Sequence, residues 1–224
     1  MISRRIKGVR NPQNKRVMKV RSKGVVGTKA AVAALLAVQM YVTVILHYVG
    51  MFDRAFEMTF LSNVLTATVF AVAAVKLIVT GRDIHSVLYL DVTVLLLVVL
   101  GICATFAPTA TFVSTGLFLH LINPLFVAAF YVAFCDGSGI GRAGLASTVV
   151  FPAMYYLFMI IYGRVTGGYV YIYFDPNGFG AAELIGIGFL AATATLSVAY
   201  GAVALCGLLR RGGHDKKTLN YGRR

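Results

Sequence analysis

The sequence contains, at residues 118–134, the stretch FLHLINPLFVAAFYVAF, which is apolar except for a few polar side chains. Extended back to residue 112, the run holds no Lys, Arg, Asp or Glu. A helix needs about 20 mostly apolar residues to cross a bilayer, so this length favours a transmembrane helix. His120, Asn123 and Pro124 interrupt the run, and polar groups are costly in lipid. Their presence therefore suggests a structural or chemical role.

The composition of the whole chain also favours the lipid bilayer, not water, as its surroundings. Of its 224 residues, 58% are hydrophobic and 13% are charged, and the mean hydropathy is +0.79. Soluble domains carry about one-quarter charged residues. A water-soluble protein of this size has too little interior to hide so much apolar surface. We therefore expect the bilayer to be its solvent.

Six apolar stretches are long enough to span, and polar or glycine-rich turns separate them. They are continuous, without the alternation of a barrel strand. The predicted fold is an all-α integral membrane protein, a six-transmembrane-helix bundle. The membrane domain covers residues 30–209, between a basic, disordered tail at 1–29 and a basic tail at 210–224. The predicted spans are 30–50, 58–80, 87–107, 112–134, 145–163 and 181–209.

Basic residues set the orientation. With the N-terminus inside, the inner segments hold 19 Lys and Arg and the outer segments hold Arg54 and Arg164. Cytoplasmic loops are enriched in Lys and Arg, so both termini are predicted to be cytoplasmic. The two basic tails are expected to contact anionic lipid. Nucleic acid is the less favoured partner, because no nucleic-acid-binding motif accompanies the basic tail.

Cysteine and histidine spacing predicts no metal site and no cofactor. Cys103, Cys135 and Cys206 show no paired spacing and are interpreted as small buried hydrophobes. His47 and His120 both lie toward the outer side, so two histidines bracketing a haem remain an alternative with little support.

Polar side chains concentrate in the outer half of two spans. His120 lies about 12 Å deep in the fourth span, at 1.5 Å per residue. The second span carries Thr59, Ser62, Asn63 and Thr66 at three- and four-residue spacing, which places them on one helix face. Because both spans run from outside to inside, His120 and this polar face are expected in the same half of the bilayer.

Pro124 is expected to loosen the helix at the histidine. Proline has no N–H for the carbonyl four residues earlier, which belongs to His120. That carbonyl needs another donor in lipid, and Asn123 is the nearest candidate. Three interpretations of the polar group stay open: interhelical hydrogen bonding, a catalytic pair, and ion or haem ligation. Asp91, in the third span, is expected to pair with Lys76 or with the backbone.

The outer loop 164–180 has an unusual composition. Tyr173 and Asp175 belong to a segment in which aromatic residues alternate. Alternation predicts a short extended segment over the outer end of the bundle, where it would act as a lid. Gly163 and Gly167 form a GxxxG pattern, which is a weak sign of helix packing.

Three motifs resemble one family. MTFLSN (58–63) resembles a Thr-x-x-Ser-Asn opening of the second span, and FLHLINPLF (118–126) a His-x-x-x-Pro pattern in the fourth. FPAMYYLFMIIYGRVTGGYVYIYFDPNGFG (151–180) resembles a Pro-x-x-Tyr, Gly-x-x-x-Gly and Tyr-x-Phe-Asp-Pro run. The chain thus resembles the six-span androgen-induced-gene and androgen-dependent-TFPI-regulating-protein family, in particular its bacterial Pr-six-Pr relatives. The resemblance implies a multi-pass protein of a bacterial plasma membrane.

The resemblance also implies an activity. Animal members of that family are intramembrane hydrolases of fatty acid esters, with a threonine nucleophile and a histidine. By motif these residues are Thr59 and His120, with His120 as general base. Ser62, Asn63 or Asn123 would support the oxyanion. Thr59 is expected about 10 Å shallower than His120, two turns of helix, so Ser62 is the alternative neighbour. A non-catalytic scaffold or small carrier, with the polar group serving packing, is the alternative function.

Overall fold

The structure is a computed structural model that describes residues 12–106, 114–137, 139–171, 175 and 178–221. Between residues 24 and 209 it also describes the side chains in these ranges, apart from 52 and 106. A short 3₁₀ turn covers Phe52–Arg54. The helices are α1 (Pro12–Tyr48), α2 (Met58–Thr80), α3 (Ser86–Phe106), α4 (Thr115–Phe134), α5 (Arg142–Ser147), α6 (Val150–Thr166) and α7 (Ala181–Tyr221).

The predicted all-helical architecture is confirmed for the described residues, none of which is in a strand. Six helical stretches are long and apolar enough to cross a membrane, and α5 and α6 together form the fifth of them. The second stretch, Met58–Thr80, has the bounds that hydropathy predicts, and the sixth begins at Ala181 as predicted. Continuous apolar runs are therefore sufficient to locate the helices.

The first and last helices extend beyond their apolar parts. α1 begins at Pro12, within the segment predicted as a disordered tail, and α7 ends at Tyr221. Lys, Arg and Gln are good helix formers, so a helix can continue where hydrophobicity stops. The boundary predicted between residues 29 and 30 is therefore not a helix boundary.

Aromatic rings fill the centre of the bundle. Phe70 of α2 contacts Tyr89 of α3 and Phe130 of α4, with ring centroids 5.6 Å and 4.8 Å apart. Tyr89 and Phe130 also contact each other at 5.4 Å. All three side chains are buried. Edge-on and tilted ring pairs at this spacing are favourable, so this trio fixes the packing of three helices.

A buried lysine joins four segments at one end of the bundle. Lys29 Nζ lies 2.5 Å from Asp83 Oδ2, donates to the Phe134 carbonyl at 3.1 Å, and sits 4.6 Å from the centre of the Tyr89 ring. Tyr89 Oη also donates to Asp83 Oδ1 at 2.8 Å. By sequence, Lys29 belongs to the basic tail that is predicted to contact lipid. The structure instead places its ammonium group inside the protein.

Asp91 has a different partner from the one expected. Ser147 Oγ of α5 donates to Asp91 Oδ1 at 2.8 Å. Lys76 is exposed, and no ion pair joins it to Asp91 within the described part of the chain. The hydroxyl therefore connects α3 to α5.

The GxxxG pattern at the end of α6 accommodates an aromatic ring. A Cβ on Gly163 would lie 2.0 Å from the Tyr169 ring, which folds back from the segment after α6. Gly167 has φ of 74° and ends the helix. The two glycines thus allow the chain to reverse, and Gly163 is the place where the ring packs.

Candidate functional site

The polar face of α2 points into the bundle, as the spacing predicts. Thr59, Ser62, Asn63 and Thr66 are all buried. Ser62 Oγ donates to the Thr59 carbonyl at 3.1 Å, and Thr66 Oγ1 donates to the Ser62 carbonyl at 2.7 Å. Hydroxyls that bond to their own helix in this way need no partner from a neighbour.

His120 lies in a widened turn of α4. Phe118–Ile122 forms a π-helical turn, and the Asn123 N–H donates to the Phe118 carbonyl, five residues back. Turns of this kind occur frequently at functional sites. His120 itself is buried. The turn places the histidine where the regular bonding of the helix is interrupted.

The carbonyl left over is that of Leu119. In a regular helix Leu119 would accept from Asn123, whose N–H goes to Phe118, and Pro124 has no N–H to offer. Asn63 Nδ2 of α2 lies 3.5 Å from the Leu119 oxygen, at the outer limit of a hydrogen bond. The expectation that Asn123 would donate to the His120 carbonyl is wrong, because both N–H groups of the Asn123 side chain go to Thr43 and Asn63 instead. A neighbouring helix supplies the donor for Leu119.

Amide side chains connect three helices next to the histidine. Gln39 Nε2 of α1 donates to Asn123 Oδ1 at 3.0 Å. Asn123 Nδ2 donates to Asn63 Oδ1 at 2.9 Å and to Thr43 Oγ1 at 3.2 Å. Asn63 Nδ2 donates to the carbonyls of Thr59, at 2.9 Å, and Leu119. This amide chain, Gln39–Asn123–Asn63 with Thr43, uses every N–H of its two asparagines.

The hydrogen bonds of Ser62, Asn63 and Asn123 occupy the donors that are predicted to support an oxyanion. Each donor that would support an oxyanion already has an acceptor inside the protein. Oxyanion support stays a prediction, and it requires one of these donors to change partner when a ligand binds.

Cys103 is the nearest polar partner of His120. Its Sγ lies 3.2 Å from His120 Nδ1, and the thiol is partly exposed at the end of α3. The sequence interpretation of Cys103 as an inert hydrophobe missed this contact. The sequence offered only a coarse signal: Cys103 and His120 both lie in the halves of their spans next to the turn between the third and fourth spans.

The backbones that carry Thr59 and His120 come close to each other. A single Asn63 nitrogen lies 2.9 Å from the Thr59 carbonyl and 3.5 Å from that of Leu119, so these oxygens are nearer to each other than the predicted gap of two turns. The Thr59 side chain is buried, and its hydroxyl makes no hydrogen bond to any described residue, His120 included. The structure thus brings the two predicted segments together without joining the two side chains.

Further ionisable groups lie at this end. His47 Nδ1 of α1 is 2.8 Å from Thr115 Oγ1 of α4. Tyr48 Oη donates to Glu57 Oε2 at 2.9 Å, and Arg54 pairs with Glu57 at 2.6 Å. Within the described ranges no three metal-binding side chains come together. Haem binding between His47 and His120 stays an untested alternative.

The described part of the loop after α6 packs beside the start of α2. Tyr169 and Tyr171 pack against Tyr155 and Met159 in a cluster that also includes Met58. Tyr155 Oη donates to the Phe56 carbonyl at 3.0 Å. The loop and Met58, the residue that precedes Thr59, therefore pack against the same two buried side chains. This position agrees with a lid, which stays a prediction.

Of the two predicted lid residues, Asp175 is within the described part of the chain. Tyr173 lies outside the described residues. The Asp175 carbonyl accepts from the N–H groups of Gly178 and Phe179 at 3.1 Å and 3.0 Å, which forms a turn before α7. Asp175 thus contributes to the shape of the loop through its backbone.

No known family model, curated protein or solved structure matches the chain. The family resemblance therefore rests on the three motifs quoted above, and it stays a prediction.

Proposed function

We propose that the chain is a six-span membrane protein with both termini in the cytoplasm. Its outward faces are apolar: Phe189 is 75% exposed, Ile185 72% and Leu190 70%. Surfaces of this kind are stable in lipid and unfavourable in water. The 19 basic residues of the inner segments against two outside support the orientation. The resemblance suggests a bacterial plasma membrane.

Labelling of single cysteines tests this topology. In a chain whose three native cysteines are replaced by serine, we expect Asp53→Cys to react with a membrane-impermeant maleimide in intact cells. Arg82→Cys, equally exposed in the structure, is the matched control and should react only after lysis. The reverse pattern would refute the orientation.

We propose further that this protein hydrolyses lipid esters, with Thr59 as nucleophile and His120 as general base. One observation carries the proposal: Thr59 is a buried residue, and its hydroxyl has no hydrogen-bond partner among the described residues. Its backbone lies close to that of Leu119, the residue before the buried His120, because one Asn63 nitrogen contacts both carbonyls. A hydroxyl without a fixed partner can turn toward a substrate. The resemblance supplies the reaction class.

The proposed reaction uses the two nitrogens of His120 differently. When Nδ1 carries the proton and donates to Cys103 Sγ, the lone pair on Nε2 is free. That nitrogen accepts the Thr59 proton while the oxygen attacks the ester carbonyl, and it then returns the proton to the leaving alcohol. Water releases the acyl group in a second step. An ester enters sideways from the outer leaflet.

A fluorophosphonate probe, which reacts with activated hydroxyls, tests the nucleophile. We expect wild-type protein in native membranes to be labelled and the Thr59→Ala variant to lose the label. Thr66→Ala is the matched control, because Thr66 lies on the same buried face and bonds to its own helix. Equal labelling of wild type and Thr59→Ala would exclude Thr59.

A specific observation favours a second candidate, a non-catalytic membrane protein such as a scaffold or small carrier. The amide chain joins α1, α2 and α4, and every side-chain N–H of its two asparagines has an acceptor, which is what helix packing in lipid requires. Under this candidate Thr59→Ala and His120→Asn lower thermal stability, and the wild-type protein neither takes the probe nor turns over esters.

A further inference from the structure

We propose that Cys103 is a reactive thiol, activated by His120, that is alkylated by lipid-soluble α,β-unsaturated carbonyl compounds. The proposal shares a histidine with the hydrolase proposal but does not rest on it. The thiol reaction needs the lone pair of His120 Nδ1, whereas ester hydrolysis needs that of Nε2. Either activity can therefore exist without the other.

The environment of Cys103 is what makes it reactive. A thiol in apolar surroundings is normally inert, because the thiolate that reacts is disfavoured there. Here an imidazole nitrogen lies 3.2 Å from the sulfur. A neighbouring base takes the proton as the new bond forms, so no free thiolate has to accumulate. The partial exposure of Cys103 gives a ligand access to the sulfur.

The other two cysteines lack this combination. Cys135 is 2% exposed, and its sulfur lies 3.8 Å from the Lys29 ammonium group, which is paired with Asp83. Cys206 is 1% exposed. Reactive cysteines are those that combine access with an activating neighbour, so both serve as internal controls.

A second observation points to a ligand at this level. Thr59 is 5% exposed, its hydroxyl has no partner among the described residues, and its carbonyl shares the Asn63 amide with that of Leu119, next to His120. The hydroxyl offers a donor to a carbonyl oxygen. An uncharged carbonyl compound dissolved in the bilayer can approach the partly exposed Cys103 thiol beside His120. A charged electrophile is excluded from this route by the cost of entering lipid.

The chemistry needs no oxidant. The thiol proton passes to His120 Nδ1 as the sulfur forms a bond to the β-carbon of the electrophile. The C=C electron pair moves toward the carbonyl, and the α-carbon then takes the proton back from the imidazolium. The product is a thioether in which all atoms of both reactants are retained.

The test measures the rate at which N-ethylmaleimide, an uncharged α,β-unsaturated imide, modifies each cysteine of the full chain in detergent, followed by mass spectrometry. We expect Cys103 to react at least tenfold faster than Cys135 and Cys206. The His120→Asn variant, which keeps a hydrogen-bonding side chain but has no comparable base, should slow Cys103 at least tenfold. His85→Asn, an exposed histidine at the other end, is the control and should change nothing.

Two results would overturn the proposal. One is a Cys103 rate that is the same in His120→Asn as in wild type, which would show a merely exposed thiol. The other needs no variant. It is a Cys103 rate that is slower in the folded wild-type protein than in the chain unfolded by SDS, which would show that the fold does not activate the thiol. If the wild-type protein turns over no ester but its Cys103 is alkylated rapidly, only the hydrolase proposal is rejected.

Discussion

Replacing Asp83 with asparagine is expected to lower the free energy of unfolding by about 2–4 kcal/mol, measured by SDS titration in mixed micelles. Breaking a buried ion pair costs about 3–5 kcal/mol because the remaining charge has no counter-ion. We expect somewhat less than this cost because water screens the pair: the side chain of Asp83 is 35% exposed, whereas that of Lys29 is 9% exposed. The asparagine leaves the Lys29 ammonium group without a counter-ion, among uncharged neighbours such as the Phe134 carbonyl, the Cys135 sulfur and aromatic rings.

A second substitution separates this explanation from a simple loss of contacts. Adding Lys29→Met to Asp83→Asn removes the unpaired charge, and replacement of a buried pair by apolar groups is often neutral. We therefore expect the double variant to be more stable than Asp83→Asn alone. Lys76→Met, at an exposed lysine outside any described ion pair, controls for the loss of positive charge and should change stability by less than about 0.5 kcal/mol. A double variant as unstable as the single one would show that the buried charge is not responsible.

Features that depend on local sequence could be predicted, whereas contacts between distant parts of the chain could not. Helix positions were predictable because an apolar run of about 20 residues has few alternatives in a chain of this composition. The polar face of α2 was predictable because its spacing is a local property of the helix. Pairings between helices are not local. The partner of His120 is 17 positions away at Cys103, and that of Asn123 is Gln39 of α1.

The missed residues share a second property. Gln39 and Cys103 carry no charge, so neither stood out among the ionisable side chains that mark candidate sites in a span. Lys29 was missed for the opposite reason: its charge placed it in the basic tail, although aromatic rings and Asp83 surround it. The sequence predicted a disturbance at the π turn but not which carbonyl would lose its hydrogen bond. Pro124 predicted a disturbed helix, but the displaced bond belongs to Leu119 because Asn123 bonds five residues back.

Replacing His120 with asparagine is expected to lower the turnover of a fatty acid ester by about 100- to 10,000-fold, the usual contribution of a general base. Asparagine keeps a polar side chain in the π turn but cannot take the proton from a hydroxyl. Thr59→Ala should lower turnover to a similar level. Because residues that act as a unit are not additive, the double variant should be no slower than either single one. Thermal stability measured in parallel identifies any loss that comes from unfolding.

The most direct measurement of the central claim, that His120 and Thr59 form one hydrolytic site, is fatty acid release by the purified full chain in lipid nanodiscs. Wild type, His120→Asn, Thr59→Ala and the control His85→Asn are compared at equal folded concentration. We expect fatty acid release by wild type and His85→Asn, and near-background rates for the other two variants. Folded His120→Asn that releases fatty acid as fast as wild type would contradict this claim, as would a folded wild-type protein that releases none from any ester offered.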